Sequence, residues 1–565
     1  MKKVFLSAIM LVMVFTTLVA CSGNNNSSSD STKNNSGTNE SPPIATDLTS
    51  TYKDFYDPPV NISTVWGVDP NLTFKNGETI ENNVATRWAK ETLGIEVETL
   101  WSVSTVDGAY ETRLRLAMTS PNDMPDIVSV TDPLLANELI ESGMFREVGT
   151  LFDEYANEQW KGAINLDPAV WNAYIRDGER MAIPILDYAY NWDHLLWIRQ
   201  DWLDALDLEA PTTLDELEVV MDAFKHNNPD GLSPNDVVPL SVGLKAGLKT
   251  WMGELSWLFG AYGTLPEQWN VDDNGNLEYG SINAGAKDAL LRIKSWRDKG
   301  YIPSEAALWD ENKTAEPAVA GTAGIIPGPY WMSGWPLSDT VKNVSHAVWK
   351  PHLIPAGPDG TIMRHGTHFV NGITLINKNM KHPEAFFTYQ NYLFANLADP
   401  DPGSVFDLGV FKGYDYDLDA NGNPLYLDDV PGGAITAPLR YFLVRDGARI
   451  PDASFKALLN IADGKEPTRL REKDVVANYG PETGNAAVKV LEQEQYSFKD
   501  MYVGPPTETM KTRSDYLSKL EQQVFNEVIY GTKGPEAFDE FVADWKSSGG
   551  DDITKEVNAW YQSIK

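Results

Sequence analysis

Three aromatic side chains lie together in one short segment that is rich in glycine and proline. Tyr330, Trp331 and Trp335 fall within Gly328–Pro336, and the glycines and prolines predict a loop rather than a helix. Aromatic rings stack on the C–H faces of sugar rings, while their polar edges form hydrogen bonds. The segment therefore predicts a platform for a carbohydrate ligand, and the alternative is a loop plugged into its own domain.

The number of aromatic residues in the whole chain also favours a carbohydrate ligand. The chain has 18 Trp, 23 Tyr and 20 Phe, which is more tryptophan than core packing usually needs. Trp251 and Trp257 flank a helix-like stretch and are assigned to the core. Two polar residues, Arg364 and Asn371, are candidates for sugar hydroxyls or a carboxylate, since a guanidinium fork suits a carboxylate. The other aromatic candidates for ligand contact are Tyr188, Tyr190, Trp192, Trp66 and Trp269.

The N-terminus reads as an export signal. Met1-Lys2-Lys3 is followed by a mostly apolar run to Ala20 and then by Cys21, the 1 Cys of the chain. A basic start and a short apolar run are typical of a signal peptide. The stretch before Cys21 resembles the bacterial lipobox, which implies a signal peptide over 1–20 and lipid on Cys21. The alternative is an ordinary secretory signal with a chance cysteine.

Residues 21–50 are mostly Ser, Asn, Thr and Gly, a composition that cannot bury enough apolar surface to fold. They predict a disordered tether between the lipidated cysteine and the body. The body is long enough for two or more domains. The formal net charge of the whole chain is −34, which argues against nucleic acid and anionic lipid head-groups as partners, because both require basic surface. An anionic ligand in a locally basic cleft stays open.

The body alternates strand-like and helix-like stretches, which predicts an α/β fold. Thr213 and Glu216 form a capping box before a helix with apolar residues at helical spacing. Asn-Gly pairs at 274–275 and 421–422 predict hairpin turns between short strands. The other predicted elements are strands at 95–100, 126–130 and 369–376 and helices at 134–141, 283–299, 385–394, 516–529 and 535–546.

Seven blocks of the sequence carry a resemblance through their order and spacing: Pro125–Ser129, Leu139–Phe145, Leu196–Leu203, Pro211–Leu217, Lys381–Glu384, Phe538–Trp545 and Gly549–Trp560. Together they resemble the long extracellular solute-binding lipoproteins of carbohydrate ABC transporters in Gram-positive bacteria, relatives of maltose- and alginate-oligosaccharide-binding proteins. The resemblance implies a two-lobed periplasmic-binding-protein-like fold of type II, with hinge strands and an interlobe cleft. It places lobe 1 at 51–185 and 370–430 and lobe 2 at 186–365 and 435–565.

The resemblance also implies a function: capture of an oligosaccharide outside the cell and delivery to the permease subunits of an ABC importer. The protein would be a monomer held to the outer face of the membrane by its lipid. Tyr188, Tyr190 and Trp192 would lie where the chain first crosses between lobes, Trp66 would line the first lobe's side of the cleft, and Arg364 and Asn371 would lie near the hinge.

Alginate-binding relatives carry a calcium loop, and the matching segment here has lost part of it. Asn228, Asp230 and Asp236 match ligand positions, but Leu232 and Val237 replace two oxygen donors. Calcium takes six to eight oxygens, so the segment reads as a degenerate loop that keeps its turn. No cofactor is firmly predicted, and calcium is the one candidate. A second oxygen-rich run, 417–422, fits a hairpin turn better than a calcium loop.

The main alternative is a secreted polysaccharide-degrading enzyme, and a third class is a peptide-binding lipoprotein. Glycosidases need two carboxylates at a defined separation, and a chain with 80 acidic residues does not exclude such a pair. The sequence has no Gly-x-Ser-x-Gly elbow, His-Glu-x-x-His motif or phosphate loop. The loop aromatics favour a sugar over a peptide, so the sequence predicts a binding protein and not an enzyme.

Overall fold

The computed structural model describes residues 52–70, 72–227, 229–426, 429–435, 441–445, 447–469, 472–473, 476 and 482–565. Cys21, the signal segment and the tether lie outside these residues, and so does Asn228. Within the described ranges, no helix is both long and apolar enough to cross a lipid bilayer.

The strands of the fold are short, and they hold the loops that carry the candidate site. In chain order they are β1 Val60–Val68, β2 Ile95–Ser104, β3 Ile127–Val130, β4 Ile175–Arg176, β5 Glu179–Arg180, β6 Ile183–Leu186, β7 Leu195–Arg199, β8 Val238–Leu240, β9 Trp269–Val271, β10 Leu277–Tyr279, β11 Ala323–Gly328, β12 Trp349–His352, β13 Arg364–Gly366, β14 Val370–Ile376, β15 Tyr416–Leu418, β16 Pro424–Tyr426 and β17 Ser497–Lys499.

The α-helices cover these strands and form the C-terminal part of the chain. They are Val84–Leu93, Ala109–Ala117, Pro133–Glu141, Gly149–Tyr155, Glu158–Ile164, Gln200–Ala205, Leu214–Asn227, Ser256–Gly260, Ala284–Asp298, Glu311–Ala320, Leu337–Asn343, Pro383–Asn396, Ala453–Ala462, Glu482–Glu492, Met510–Ile529, Glu536–Trp545 and Asp551–Ile564.

Most predicted elements are present with small changes at their ends. The capping box forms, because the Glu216 amide donates to Thr213 Oγ1 and the Thr213 amide donates to Glu216 Oε2, both at 3.2 Å. Both predicted hairpins form, β9 with β10 and β15 with β16. The helix Asp551–Ile564 was not predicted as a helix, although its buried Ile553, Val557 and Tyr561 have helical spacing.

The first core surrounds a three-stranded sheet in the order β3-β14-β6, in which β14 is antiparallel to both neighbours. The parallel pair β1 and β2 lies beside it, with Val60 opposite Ile95. Apolar side chains from two stretches of the chain fill this core, one ending at Leu186 and the other running from Val370 to Ile450. These two stretches, which are separated in the sequence, together form the first lobe.

The second core surrounds a four-stranded sheet in the order β12-β7-β11-β8. Strand β7 is antiparallel to β11 and β12, and β11 is parallel to β8. Every residue of β7 and β11 is buried, as expected for central strands covered on both faces. The C-terminal helices from Met510 onward pack against this core.

Three segments, 187–194, 363–369 and 451–454, run between the two cores. They are bonded to one another, since the Asp187 amide donates to the Phe369 carbonyl at 3.0 Å and the Ala189 amide to the Pro451 carbonyl at 2.8 Å. Buried residues up to Ala448 pack with the first core, which favours ending that lobe's second segment later than residue 430. The lobe boundaries themselves stay a prediction.

Candidate functional site

The loop that follows β11 carries the predicted aromatic platform. Trp197 Nε1 donates to the Pro329 carbonyl at 3.0 Å and fixes the start of this loop on the second sheet. Trp331 stacks on Trp251 with ring centroids 5.5 Å apart and planes inclined by 24°. Trp335 lies 6.1 Å from Trp251 and is 39% exposed. We call Trp251, Trp331 and Trp335 the tryptophan wall.

The tryptophan wall adjoins the first crossing segment. Trp331 Nε1 donates to Asn191 Oδ1 at 2.8 Å, and Asn191 Nδ2 donates to Asp187 Oδ2 at 3.4 Å. Asp187 Oδ1 accepts from Arg449 at 3.1 Å. The guanidinium of Arg449 lies 4.4 Å from the ring centre of Tyr188. Hydrogen bonds through Asn191 and Asp187 therefore connect the tryptophan wall to the guanidinium of Arg449, which lies at the first core.

The first core presents a cavity of about 230 Å³ beside these groups. Trp66 lines it near the end of β1, and its Nε1 donates to Thr99 Oγ1 at 3.1 Å. Asn371 and Arg445, which are exposed, and Arg449, which is partly buried, supply polar edges. Ligands of open α/β sheets bind outside the carboxyl ends of strands, and the ends of β1 and β3 open here. The cavity also holds the carboxylates of Asp69 and Glu111.

Tyr190 and Trp192, in the first crossing segment, are partly buried. Tyr190 donates to Glu494 Oε1 at 2.6 Å and packs 4.6 Å from the ring of Phe455. Burial and the hydrogen bond to Glu494 raise the pKa of Tyr190 above its ordinary value. Trp192 lies edge-on to His365, with centroids 6.5 Å apart. Neither ring belongs to the tryptophan wall.

Three predicted contact residues are buried with structural partners. Tyr330 is 5% exposed and packs edge-on to Phe455 at 5.3 Å. Trp269 is 5% exposed inside the second core. Arg364 is fully buried and forms an ion pair with Asp193. Their role in ligand contact stays a prediction, and their burial disfavours it.

Asp230, in the predicted calcium loop, is held by contacts with other side chains of the protein. Asp230 Oδ2 accepts from Arg199 and from Trp202 Nε1, both at 2.8 Å, and its Oδ1 lies 2.9 Å from His346 Nε2. Arg199 also donates to Asp201 at 2.6 Å. Asp201, Asp230 and His346 bring one potential ligand atom each within 4.8 Å of one another, and the buried guanidinium of Arg199 already pairs with both carboxylates.

Asp236 is exposed and contributes a turn, because its amide donates to the Ser233 carbonyl at 2.8 Å. The loop thus keeps its turn, and its interpretation as a degenerate calcium loop stays a prediction. At the second oxygen-rich run, Asp419 Oδ1 accepts the amides of Asn421 and Asn423 at 2.8 Å. These hydrogen bonds close the hairpin between β15 and β16.

The structure adds residues that the sequence did not single out for ligand contact. Trp251 was assigned to the core, yet it stacks in the tryptophan wall. Arg445 and Arg449 were not considered. They lie four residues apart, shortly after Tyr441 and Phe442, and no motif in the sequence marks them as cavity residues.

Two discontinuous α/β lobes joined by three crossing segments give the chain a two-lobed fold of the periplasmic-binding-protein-like type II. Solved structures confirm this fold. The alginate-binding protein AlgQ2, in a structure without calcium ion, superposes with a TM-score of 0.60 at 17% identity over 90% of this chain and 100% of that chain. FusA of Streptococcus pneumoniae in complex with kestose gives a TM-score of 0.60 at 18% identity over 89% and 99%.

The chain is also similar in sequence to proteins of Bacillus subtilis. YtcQ of Bacillus subtilis, a polygalacturonan/rhamnogalacturonan-binding protein, is 25% identical over 481 residues, 81% of this chain and 84% of YtcQ. The lipoprotein LipO of Bacillus subtilis is 24% identical over 494 residues, 84% and 87% of the two chains. No protein-family model matches the chain. The predicted resemblance, to solute-binding proteins of carbohydrate ABC transporters, is confirmed, and the relatives whose names state an activity are binding proteins.

Proposed function

We propose that this protein is a substrate-binding protein that captures an oligosaccharide outside the cell and delivers it to the permease subunits of an ABC importer. The tryptophan wall carries the proposal. Trp335 keeps 39% of its surface exposed, although burying an aromatic ring is among the largest apolar gains available to a fold. An exposed indole on a loop braced by Trp251 and Trp331 suits the face of a sugar ring.

The cavity of the first core, in the other lobe, supports the same proposal. Asn371, Arg445 and Arg449 line the cavity of the first core with donors that suit sugar hydroxyls or carboxylates. A ligand that contacts both sides would shift the equilibrium between open and closed lobes. The closed form is then the species that a permease recognises. The names of YtcQ and of the FusA complex support a glycan as the ligand class.

The ligand class is tested by thermal unfolding in the presence of a panel of oligosaccharides, both neutral and uronate-containing. A ligand present at 100 times its dissociation constant stabilises the folded state by about 2.7 kcal/mol. We expect at least one glycan to raise the melting temperature and to be recovered intact afterwards. Cleavage of a glycan without any thermal shift would instead establish the enzyme alternative and overturn the proposal.

We further propose that lipid on Cys21 holds the protein at the outer face of the membrane. The lipobox resemblance and the similarity to the lipoprotein LipO support this anchor. Two or more acyl chains give stable anchoring, at about 0.8 kcal/mol per buried methylene. Cys21→Ser should move the protein from the membrane fraction to the medium, whereas Ser22→Ala should not. Retention of the Cys21→Ser protein on membranes would contradict the lipid anchor.

A further inference from the structure

A buried carboxyl and a buried imidazole meet close to Trp251 of the tryptophan wall. Glu254 follows Trp251 by three residues, and His194 is the last residue of the first crossing segment. Glu254 Oε1 lies 3.4 Å from His194 Nδ1, and both side chains are 1% exposed. The pair therefore joins the loop that carries one ring of the wall to a segment that runs between the two cores.

The remaining polar atoms of the pair face groups of the adjoining chain. Glu254 Oε2 accepts the Ser256 amide at 2.5 Å, and the Ser256 hydroxyl lies beside the same carboxyl. The imidazole of His194 faces the main-chain carbonyls of Trp251 and Trp192. Glu254 Oε1 and His194 Nδ1 are then left facing each other, and one proton between them serves both atoms.

Burial makes this link a neutral one at pH 7. Burial raises the pKa of Glu254 to about 8, although hydrogen bonds from Ser256 oppose the change. Burial and the positive charge of Arg364 lower the pKa of His194 to about 3. A protonated carboxyl therefore donates toward a neutral imidazole. An ion pair at the same place would require two charges to lose their hydration.

The charges that face Glu254 give its ionised form little support. Glu267 raises the pKa of Glu254 through its negative charge, and Lys249 lowers it. The Lys249 ammonium group donates to the Glu267 carbonyl at 3.0 Å. Among the described residues, His194 is the one basic side chain that pairs with the Glu254 carboxyl. Loss of the proton would therefore leave a buried negative charge beside a neutral imidazole.

The groups that face His194 keep its ring neutral. Arg364 is fully buried and paired with Asp193, and its positive charge disfavours a second cation at His194. His365 is buried as well, and burial together with the charge of Lys249 holds the pKa of His365 well below its ordinary value. His194 can therefore accept the Glu254 proton as a hydrogen bond without becoming a cation.

We propose that Glu254 and His194 are positioning residues for glycan capture, and that the proton they share ties Trp251 to the first crossing segment. The inference rests on the proposed function, because the tryptophan wall is the surface that the pair serves. Trp251 packs 5.5 Å from Trp331 and 6.1 Å from Trp335. A shift of the loop around Trp251 therefore disturbs both other rings of the wall.

Calorimetry between pH 6 and pH 9.5 tests the proposal, with the panel glycan that raises the melting temperature most as the probe. A carboxyl with a raised pKa keeps its proton below that value and loses it to the buffer above it. We therefore expect the dissociation constant of the unchanged protein to rise about fivefold as pH increases through 8, the usual effect of one neutral hydrogen bond.

Glu254→Gln separates this role from a merely structural one. The amide keeps a donor toward His194 but cannot ionise, so this variant should bind the glycan normally at pH 7 and equally well at pH 9.5. Glu316→Gln, an exposed change on the helix Glu311–Ala320, is the control and should keep the pH dependence of the unchanged protein.

Removing either member of the pair should cause the same loss. Glu254→Ala and His194→Phe should each weaken glycan binding by about fivefold at pH 7, and the double variant should lose little more. Hydrogen–deuterium exchange of the glycan-free protein gives a second measurement. Amides of residues 249–255 should exchange equally in the unchanged protein and Glu254→Gln at pH 7, and faster in the unchanged protein at pH 9.5.

Three results would overturn the proposal. The unchanged protein could bind the glycan equally well at pH 7 and pH 9.5. Glu254→Gln could lose affinity at high pH as the unchanged protein does, which would place the titrating group elsewhere. A folded Glu254→Ala could bind normally; if this variant fails to fold, the pH profile of Glu254→Gln decides. If no glycan of the panel binds, the proposed function fails, and exchange at residues 249–255 alone decides whether the pair holds the loop.

Discussion

Trp331 Nε1 donates a 2.8 Å hydrogen bond to Asn191 Oδ1, and this bond joins the aromatic loop of the second lobe to a segment that crosses to the first. The indole has one donor, so the bond fixes the rotation of the ring about its side-chain torsions. Trp251 supports the face of the same ring. Asn191 therefore acts as a positioning residue for the tryptophan wall.

Removing this hydrogen bond should weaken glycan binding by about fivefold, since a neutral hydrogen bond contributes about 0.5–1.5 kcal/mol. Asn191→Ala removes the acceptor, and Trp331→Phe removes the donor while keeping an aromatic face. Calorimetric dissociation constants for both single variants and the double variant form a double-mutant cycle.

The two losses should not add, because each variant breaks the same bond. Asn485→Ala, an exposed position on the helix Glu482–Glu492, serves as the control and should bind normally. Fully additive losses from Asn191→Ala and Trp331→Phe would show that Asn191 acts in some other way.

Asp167 should contribute stability that depends on pH. It lies 3.0 Å from His368 Nδ1 and 2.9 Å from Lys499 Nζ. Burial opposes ionisation, but hydrogen bonds from His368 and Lys499 prevail and lower the pKa of Asp167 to about 2. A depressed carboxyl pKa gives stability that is present above the unfolded-state value near 4 and is lost as pH falls toward 2.

Asp167→Asn should therefore lower the free energy of unfolding by about 2 kcal/mol at pH 7. Urea unfolding should show this difference shrinking between pH 4 and pH 2. Asp177→Asn is a matched control, because Asp177 is exposed and has a positive φ that asparagine also tolerates. A difference that persists unchanged at pH 2 would mean that the Asp167 carboxylate is not the origin of the effect.

Much of the scaffold could be predicted because its signals are local. The capping box at Thr213 and the Asn-Gly hairpins depend on residues a few positions apart, and both form. The tryptophan wall depends on Trp251 and Trp331, which are distant in sequence, and nothing local distinguishes a stacked surface indole from a core indole such as Trp257. The pairing of Arg364 with Asp193 was hidden for the same reason, so Arg364 was predicted to face the ligand.

Calcium should not be required for folding or for glycan binding. Arg199 donates to both Asp201 and Asp230, and a buried guanidinium in that position competes with any divalent ion for the same oxygens. We expect EDTA to leave the melting temperature and the glycan dissociation constant unchanged. A fall in melting temperature with EDTA that added calcium reverses would show that the loop around Asp230 still binds the ion.

The most direct test of oligosaccharide capture at the tryptophan wall is the affinity of Trp335→Ala for the glycan that stabilises the unchanged protein. Trp335 is the most exposed ring of the wall, so its removal should cost little stability. We predict a dissociation constant at least tenfold higher, while Trp560→Ala, outside the wall, binds normally. Equal affinity of Trp335→Ala and the unchanged protein would contradict a sugar site at this wall.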